Sequence, residues 1–152
     1  MKKWLTPLFV LGALLVFSAC ENTSELVSRG LSINVTKIVH EADGSYAVTW
    51  QVVNPNVVYY VVDHSTHKIF LDGVLVGSVS KTGRQGVPQQ QRAEGTDVMT
   101  VAGPAGSEKL AQATGRDPLP YRVESTVWLL LNDEDTTKSQ LVSTGTVAVT
   151  AK

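Results

Sequence analysis

Tyr46-Ala47-Val48-Thr49-Trp50-Gln51-Val52-Val53-Asn54-Pro55-Asn56 is the stretch that decides the fold. Tyr46, Val48, Trp50 and Val52 alternate with Ala47, Thr49 and Gln51. A period of two, with aromatic and β-branched residues on one side, marks a half-buried strand. Asn54-Pro55-Asn56 then interrupts it. Proline has no N–H to give to a ladder, so the triplet marks a strand boundary or kink.

The same period extends outward. Leu31, Ile33 and Val35 alternate with Ser32, Asn34 and Thr36, and the phase slips at Lys37-Ile38, which predicts a β-bulge. Asp43-Gly44 between these two runs predicts a hairpin, because glycine accepts a positive φ. Downstream, the continuous apolar run Val57–Val62 reads as a buried strand. Lys68–Leu71 and Val74–Gly77 flank Asp72-Gly73, a second hairpin signal. Val98–Ala102, Tyr121–Leu131 and Leu141–Thr150 supply further strands, with Val127–Leu131 apolar enough for a central one and Val147 and Val149 on one face at the end. Between them, Gly103–Pro120 is rich in glycine, proline and alanine, and Ser107 is placed to cap a short helix near 107–114. About 7–9 short strands with frequent turn signals predict an all-β, antiparallel sandwich.

The N-terminus reads as a leader. Met1-Lys2-Lys3 is basic, Trp4–Phe17 is mostly apolar, and Ser18-Ala19 are small. At about 14 residues the apolar stretch falls short of the roughly 20 that a membrane-spanning helix needs. Phe17-Ser18-Ala19-Cys20 resembles a bacterial lipoprotein processing site, with phenylalanine where that family most often has leucine. The resemblance implies cleavage after residue 19 and acylation of Cys20. With two or more acyl chains, each buried CH₂ worth ~0.8 kcal/mol, anchoring is stable. Glu21, rather than aspartate, favours the outer membrane, facing the periplasm, by the sorting rule of Gram-negative lipoproteins. The expected organisation is therefore leader 1–19, lipidated tether 20–30 and sandwich 31–152.

Composition narrows the function. The whole chain of 152 residues carries 13 basic and 14 acidic side chains, a net charge of −1. Loss of Lys2 and Lys3 with residues 1–19 leaves 133 residues at −3. No basic excess is present for binding phosphates, which argues against nucleic acid as a partner. The single cysteine excludes an intrachain disulfide and a multi-cysteine metal site.

Asp63-His64 and His67 are candidate metal ligands, but positions three apart on a strand point to opposite faces, so a shared ion would need a turn there. A polar loop between strands is the preferred reading of this segment. His40 reads as exposed near its turn. Asp133-Glu134-Asp135 lacks the glycine and the spaced acids of a calcium loop and reads as a solvated hairpin tip. No serine stands in a nucleophile-elbow context, and Gly103-Pro104-Ala105-Gly106 lacks the lysine of a phosphate loop. Trp50 and Trp128 sit in strand patterns and read as packing residues. No catalytic residue, metal or cofactor is assigned.

Val52-Val53-Asn54-Pro55-Asn56, the apolar run after it and Ile69–Gly77 with Asp72-Gly73 at its turn together resemble the late embryogenesis abundant (LEA) type 2 family, also called the water-stress and hypersensitive-response (WHy) domain. Val87-Pro88 and Ser143–Val147 fit the same order. The likeness covers about residues 31–150. His64-Ser65-Thr66-His67 departs from the more apolar family stretch, and 103–120 looks like an insertion. The resemblance implies an immunoglobulin/fibronectin-III-like sandwich, with Asn54, Pro55, Asn56, Asp72 and Gly73 as its motif. It also implies a non-enzymatic role in tolerance of desiccation, with envelope proteins as many weak clients, or the membrane itself, as the partner. The alternative is a structural lipoprotein docking one specific envelope partner, since one sandwich fold hosts many functions.

Overall fold

The computed structural model describes residues 28–131 and 135–152. The alternating run forms strand β2 (Tyr46–Asn54), with Tyr46, Val48, Trp50, Val52 and Asn54 buried and the residues between them half-buried. It pairs antiparallel with β1 (Ser32–His40), and the predicted bulge lies between Val35 and Lys37. The turn joining them spans residues 41–45, with Gly44 at φ 84° and the Glu41 N–H donating to the Ser45 carbonyl at 2.9 Å. The chain continues through β3 (Tyr60–Leu71), β4 (Val74–Val87), β5 (Gln91–Val98), β6 (Thr100–Val101), helix α1 (Gly103–Ala113), β7 (Leu119–Leu130), β8 (Thr136–Val147) and β9 (Val149–Ala151). The β3–β4 hairpin turns on Asp72 and Gly73, at φ 48° and 80°, the left-handed pair that a two-residue hairpin demands.

Among the described residues nine strands make two sheets, in the order β5-β2-β1-β9 and β6-β4-β3-β7-β8. The protein is thus an all-β sandwich of the immunoglobulin/fibronectin-III-like kind, with β1, β2 and β5 facing β3, β4, β7 and β8. The described strands pair antiparallel except that β9 returns beside β1 in parallel, and an isolated parallel bridge joins Thr114 to Val149. The core lies between the inner faces, with Ile33, Ile38, Val48, Trp50 and Val52 from one sheet and Ile69, Leu71, Val79, Val123 and Leu129 from the other. At the β1 edge two N–H groups find side chains of the opposite sheet: Val35 donates to the Tyr121 hydroxyl at 3.2 Å and Ile33 to Ser143 Oγ at 3.3 Å. These bonds draw β1 toward β7 and β8 and satisfy part of an otherwise open edge. Burial pushes the Tyr121 phenol above its usual pKa, against the opposing pull of the Val35 bond.

Several expectations need correction. Val57–Val62 is not one buried strand: Val57, Val58 and Tyr59 are exposed loop residues, and β3 begins at Tyr60. The segment His64–His67 is not a loop but the middle of β3. Helix α1 starts at Gly103, so Ser107 lies within it rather than at its cap, and Ala102 supplies no side-chain cap. Gly106 is what docks this helix, because a Cβ there would stand 2.9 Å from the Val76 carbonyl oxygen. Val98–Ala102 yields only the short β6, while Gln91–Val98, polar along its length, forms β5. His40 is half-buried and stacks on Tyr46 with ring centroids 4.6 Å apart. Cys20 and the leader, most of the tether, and Asp133 and Glu134 lie outside the described residues.

Candidate functional site

Two constellations stand out, one at an end of the sandwich and one inside it. The first is built by the Asn-Pro-Asn triplet. Asn54 is the last residue of β2 and only 1% exposed. Its Nδ2 donates to the carbonyls of Val58 at 2.8 Å, Pro88 at 3.0 Å and Val87 at 3.3 Å. Its Oδ1 accepts from the Asn56 N–H at 3.0 Å, closing a local turn around Pro55. Asn56 extends the network: its Nδ2 donates to the Arg29 carbonyl at 2.9 Å, and its own carbonyl accepts from the Gln90 N–H at 2.9 Å. Gly30 packs beside Pro55, where a Cβ would come within 3.2 Å of the ring.

The triplet therefore joins the chain entry at residues 28–30, the loop 55–59 and the turn 88–90. Its side chains spend their polar groups on backbone, and β2 ends at Asn54, just ahead of the proline. The loop so held presents Val57, 78% exposed, and Val58, 54% exposed. Tyr59 bends back over Gly86, where any Cβ would collide with its hydroxyl. Asp72 and Gly73 lie at the opposite end of β3, where Asp72 pairs with Lys109 of α1 at 3.0 Å. The structure thus does not bring the five motif residues together: Asn54–Asn56 and Asp72-Gly73 occupy the two ends of the sandwich.

Removal of the Asn54 side chain takes away the amide that donates to the carbonyls of Val58, Val87 and Pro88. Asn54→Ala is expected to cost about 2 kcal/mol and to expose the loop. Urea unfolding reads the first effect, and faster cleavage by a protease between residues 55 and 60 reads the second.

The second constellation lies in the core. His67 is 1% exposed, with Ser65 at 2% and Ser125 at 3%. Ser65 Oγ stands 2.9 Å from His67 Nε2, and Ser125 Oγ stands 2.9 Å from Nδ1. One ring nitrogen of a neutral imidazole donates and the other accepts, so the two hydroxyls satisfy it completely. The Trp50 ring leans on the imidazole with centroids 4.8 Å apart. Burial holds the His67 pKa down at about 4, opposed by the more distant Asp97 carboxylate. A serine beside a histidine resembles a nucleophile and its base, but these groups face each other between packed sheets, each almost fully buried. The arrangement satisfies a buried polar residue.

His64 lies on the other face of β3, as the spacing requires. Its Nδ1 is 2.9 Å from Asp63 Oδ2, and its ring stacks on Trp128 at 4.1 Å. The bonds from His64 and then from Arg84 hold the Asp63 carboxyl below its usual pKa. His64 and His67 stand on opposite faces of β3, and among the described residues no three His, Cys, Asp or Glu side chains converge on one point. The His67 cluster carried no sequence signal beyond alternation: placing Ile69 and Leu71 inward also turns His67 and Ser65 inward.

No family model and no curated protein sequence matches the chain. Solved structures do. A solution structure of a candidate late embryogenesis abundant (LEA) protein matches with a TM-score of 0.51 and 8% identity, over 83% of this chain and 75% of that one. A protein of Arabidopsis thaliana matches at 0.49 with 9% identity over 78% of each chain. A crystal structure from Archaeoglobus fulgidus matches at 0.47 with 13% identity, over 78% of this chain and 96% of that one. At such identities the likeness concerns the fold alone, and this β-sandwich is similar in fold to that of the candidate LEA protein.

Proposed function

We propose that the protein is a lipid-anchored, non-catalytic protective module of the LEA type 2 (WHy) kind, acting at the bacterial envelope during water loss. The observation that carries this reading is the sandwich fold similar to that of a candidate LEA protein, joined to the Asn54-Pro55-Asn56 and Asp72-Gly73 pattern. The mechanism is non-covalent. Cys20, acylated, holds the sandwich at the outer membrane, facing the periplasm. The sandwich then covers exposed apolar surface of partly unfolded neighbours or of the lipid, and an edge strand takes up an extended client segment by main-chain hydrogen bonds.

The test is a drying assay with residues 28–152, a span that includes Ser28, buried against the domain. A labile enzyme dried with this protein is expected to retain clearly more activity than with equal masses of albumin or an unrelated β-sandwich of like charge. Equal retention in all three would end the protective reading. Crosslinking in cells separates the outcomes further: protection expects many weak clients, whereas one stoichiometric partner identifies an assembly lipoprotein.

A further inference from the structure

We propose that the loop Val57–Tyr59 is a second membrane contact, an apolar wedge that enters the lipid interface beside the anchor. The inference rests on the lipid-anchored reading above and adds to it a site and an orientation. A buried asparagine with its amide fully used holds five residues in one conformation. The product of that rigid support is two β-branched aliphatic side chains in water, Val57 and Val58 at 78% and 54% exposure. Strand termination alone needs neither of them.

Leu131 adds to the same end. Val62 of β3 pairs with Leu129 of β7, and the strands run antiparallel, so Leu131 leaves β7 where the loop enters β3. It is 55% exposed. The other exposed large apolar residues, Leu75, Val98 and Val142, stand singly on three different strands.

The occupant follows from where the tether joins. Residues 21–27 separate Cys20 from Ser28, eight Cα-to-Cα steps in all. Fully extended, they span at most about 28 Å, close to the thickness of one hydrocarbon core. The chain then enters the domain at this same end, where the Arg29 carbonyl accepts from Asn56 Nδ2 and Gly30 packs on Pro55. An acylated Cys20 therefore keeps the sandwich within reach of the bilayer, and the end nearest the tether root is the end that carries the valines. The opposite end presents Asp43, Asp72 and Lys152, and the exposed apolar side chains toward it, Leu75 and Val98, stand on strands of different sheets. Tyr59, with an apolar ring and a polar hydroxyl, suits the headgroup level. Asp135 lies in the turn after Leu131, and Arg29 and Arg92 flank the tether root and the start of β5. Among the described residues the charges at this end are of both signs, so the contact is apolar and needs no anionic lipid.

The experiment uses the full chain, expressed in a lipoprotein-processing bacterium, with an environment-sensitive fluorophore on Val57→Cys and, separately, on Ala42→Cys in the far β1–β2 turn. Mass spectrometry of the N-terminal peptide reports acylation of Cys20, and flotation with phosphatidylcholine–phosphatidylethanolamine vesicles reports anchoring. The expected result is a blue shift and quenching by spin-labelled lipid at position 57 and neither at position 42, with the response lost in Val58→Asp. An acylated, floating protein with a water-like signal at position 57 overturns the wedge and leaves the anchor intact. An unacylated chain refutes the anchor: a response at position 57 would then still sustain the wedge, and silence there would remove both.

Discussion

Trp50→Ala is expected to lower the unfolding free energy by about 4 kcal/mol, since Trp50 is the largest fully buried side chain among the described residues. Trp50 is 1% exposed at the centre of the inner face of β2. Its partner across the ladder is Gly95, where a Cβ would stand 2.6 Å from the indole ring, so β5 has given up a side chain to make room. Its Nε1 donates to Asp97 Oδ2 at 3.0 Å, and its ring covers His67. Truncation therefore opens a cavity, removes a hydrogen bond from a half-buried carboxylate and uncovers a buried imidazole. A domain of this kind has a total stability of about 5–15 kcal/mol, so the variant keeps little margin at 37 °C. Trp50→Phe, which retains most of the volume and loses the indole N–H, is expected to cost about 1.5 kcal/mol. Chemical denaturation followed by circular dichroism measures both, and equal losses for the two variants would show that volume at this site is not what matters.

The second large effect is acid destabilisation through His67. In the unfolded chain a histidine titrates near its ordinary 6.5, whereas burial holds native His67 at about 4. Above the unfolded value both states are neutral and the residue adds no pH dependence. Between about 6.5 and 4 only the unfolded chain takes the proton, so stability falls as pH falls. The accumulated loss is about 3 kcal/mol by pH 4, and below that pH both states are protonated and the slope from this group vanishes. Unfolding midpoints measured from pH 7 to pH 4 are expected to show the decline in the native protein and a flatter profile in His67→Gln, whatever the absolute stability of that variant. The two effects are coupled, since Trp50→Ala admits water to the imidazole. NMR titration of His67 in that variant is expected to find its pKa moved back toward the ordinary value.

These two residues also show where reading the chain succeeds and where it stops. The alternation around Trp50 is visible without a structure because a strand repeats every two residues, and one side of it must be apolar to form a core. The bulge at Val35/Lys37 was legible for the same reason: a slipped phase has one mechanical meaning in a paired strand. His67 was not legible. A polar His-Ser-Thr-His run scores as loop by composition, and only partners distant in sequence make it a strand. Ser125, 58 positions away, satisfies one nitrogen of the ring. The same limit hid β5, whose Gln91–Val98 has no apolar face of its own and pairs residue by residue with β2.

The exposed loop erred in the other direction. Val57–Tyr59 is as apolar as a core strand, and hydrophobicity alone cannot distinguish a buried valine from one held out in water. That distinction came from Asn54, whose amide reaches three carbonyls of two separate segments.

By itself the sequence determined the β class of this protein, the left-handed turns at Gly44 and at Asp72-Gly73, the bulge at Val35/Lys37 and most of the inward-facing residues. Each of those follows from interactions within a few positions of the chain, where stereochemistry and period leave little choice. The tertiary structure alone decided which strands share a sheet, that β9 returns in parallel beside β1, that His67 is a core residue, and that the Asn54 triplet presents an apolar loop at the end where the tether enters. Those outcomes depend on contacts between residues far apart in the chain, whose polar groups must find partners once water is excluded.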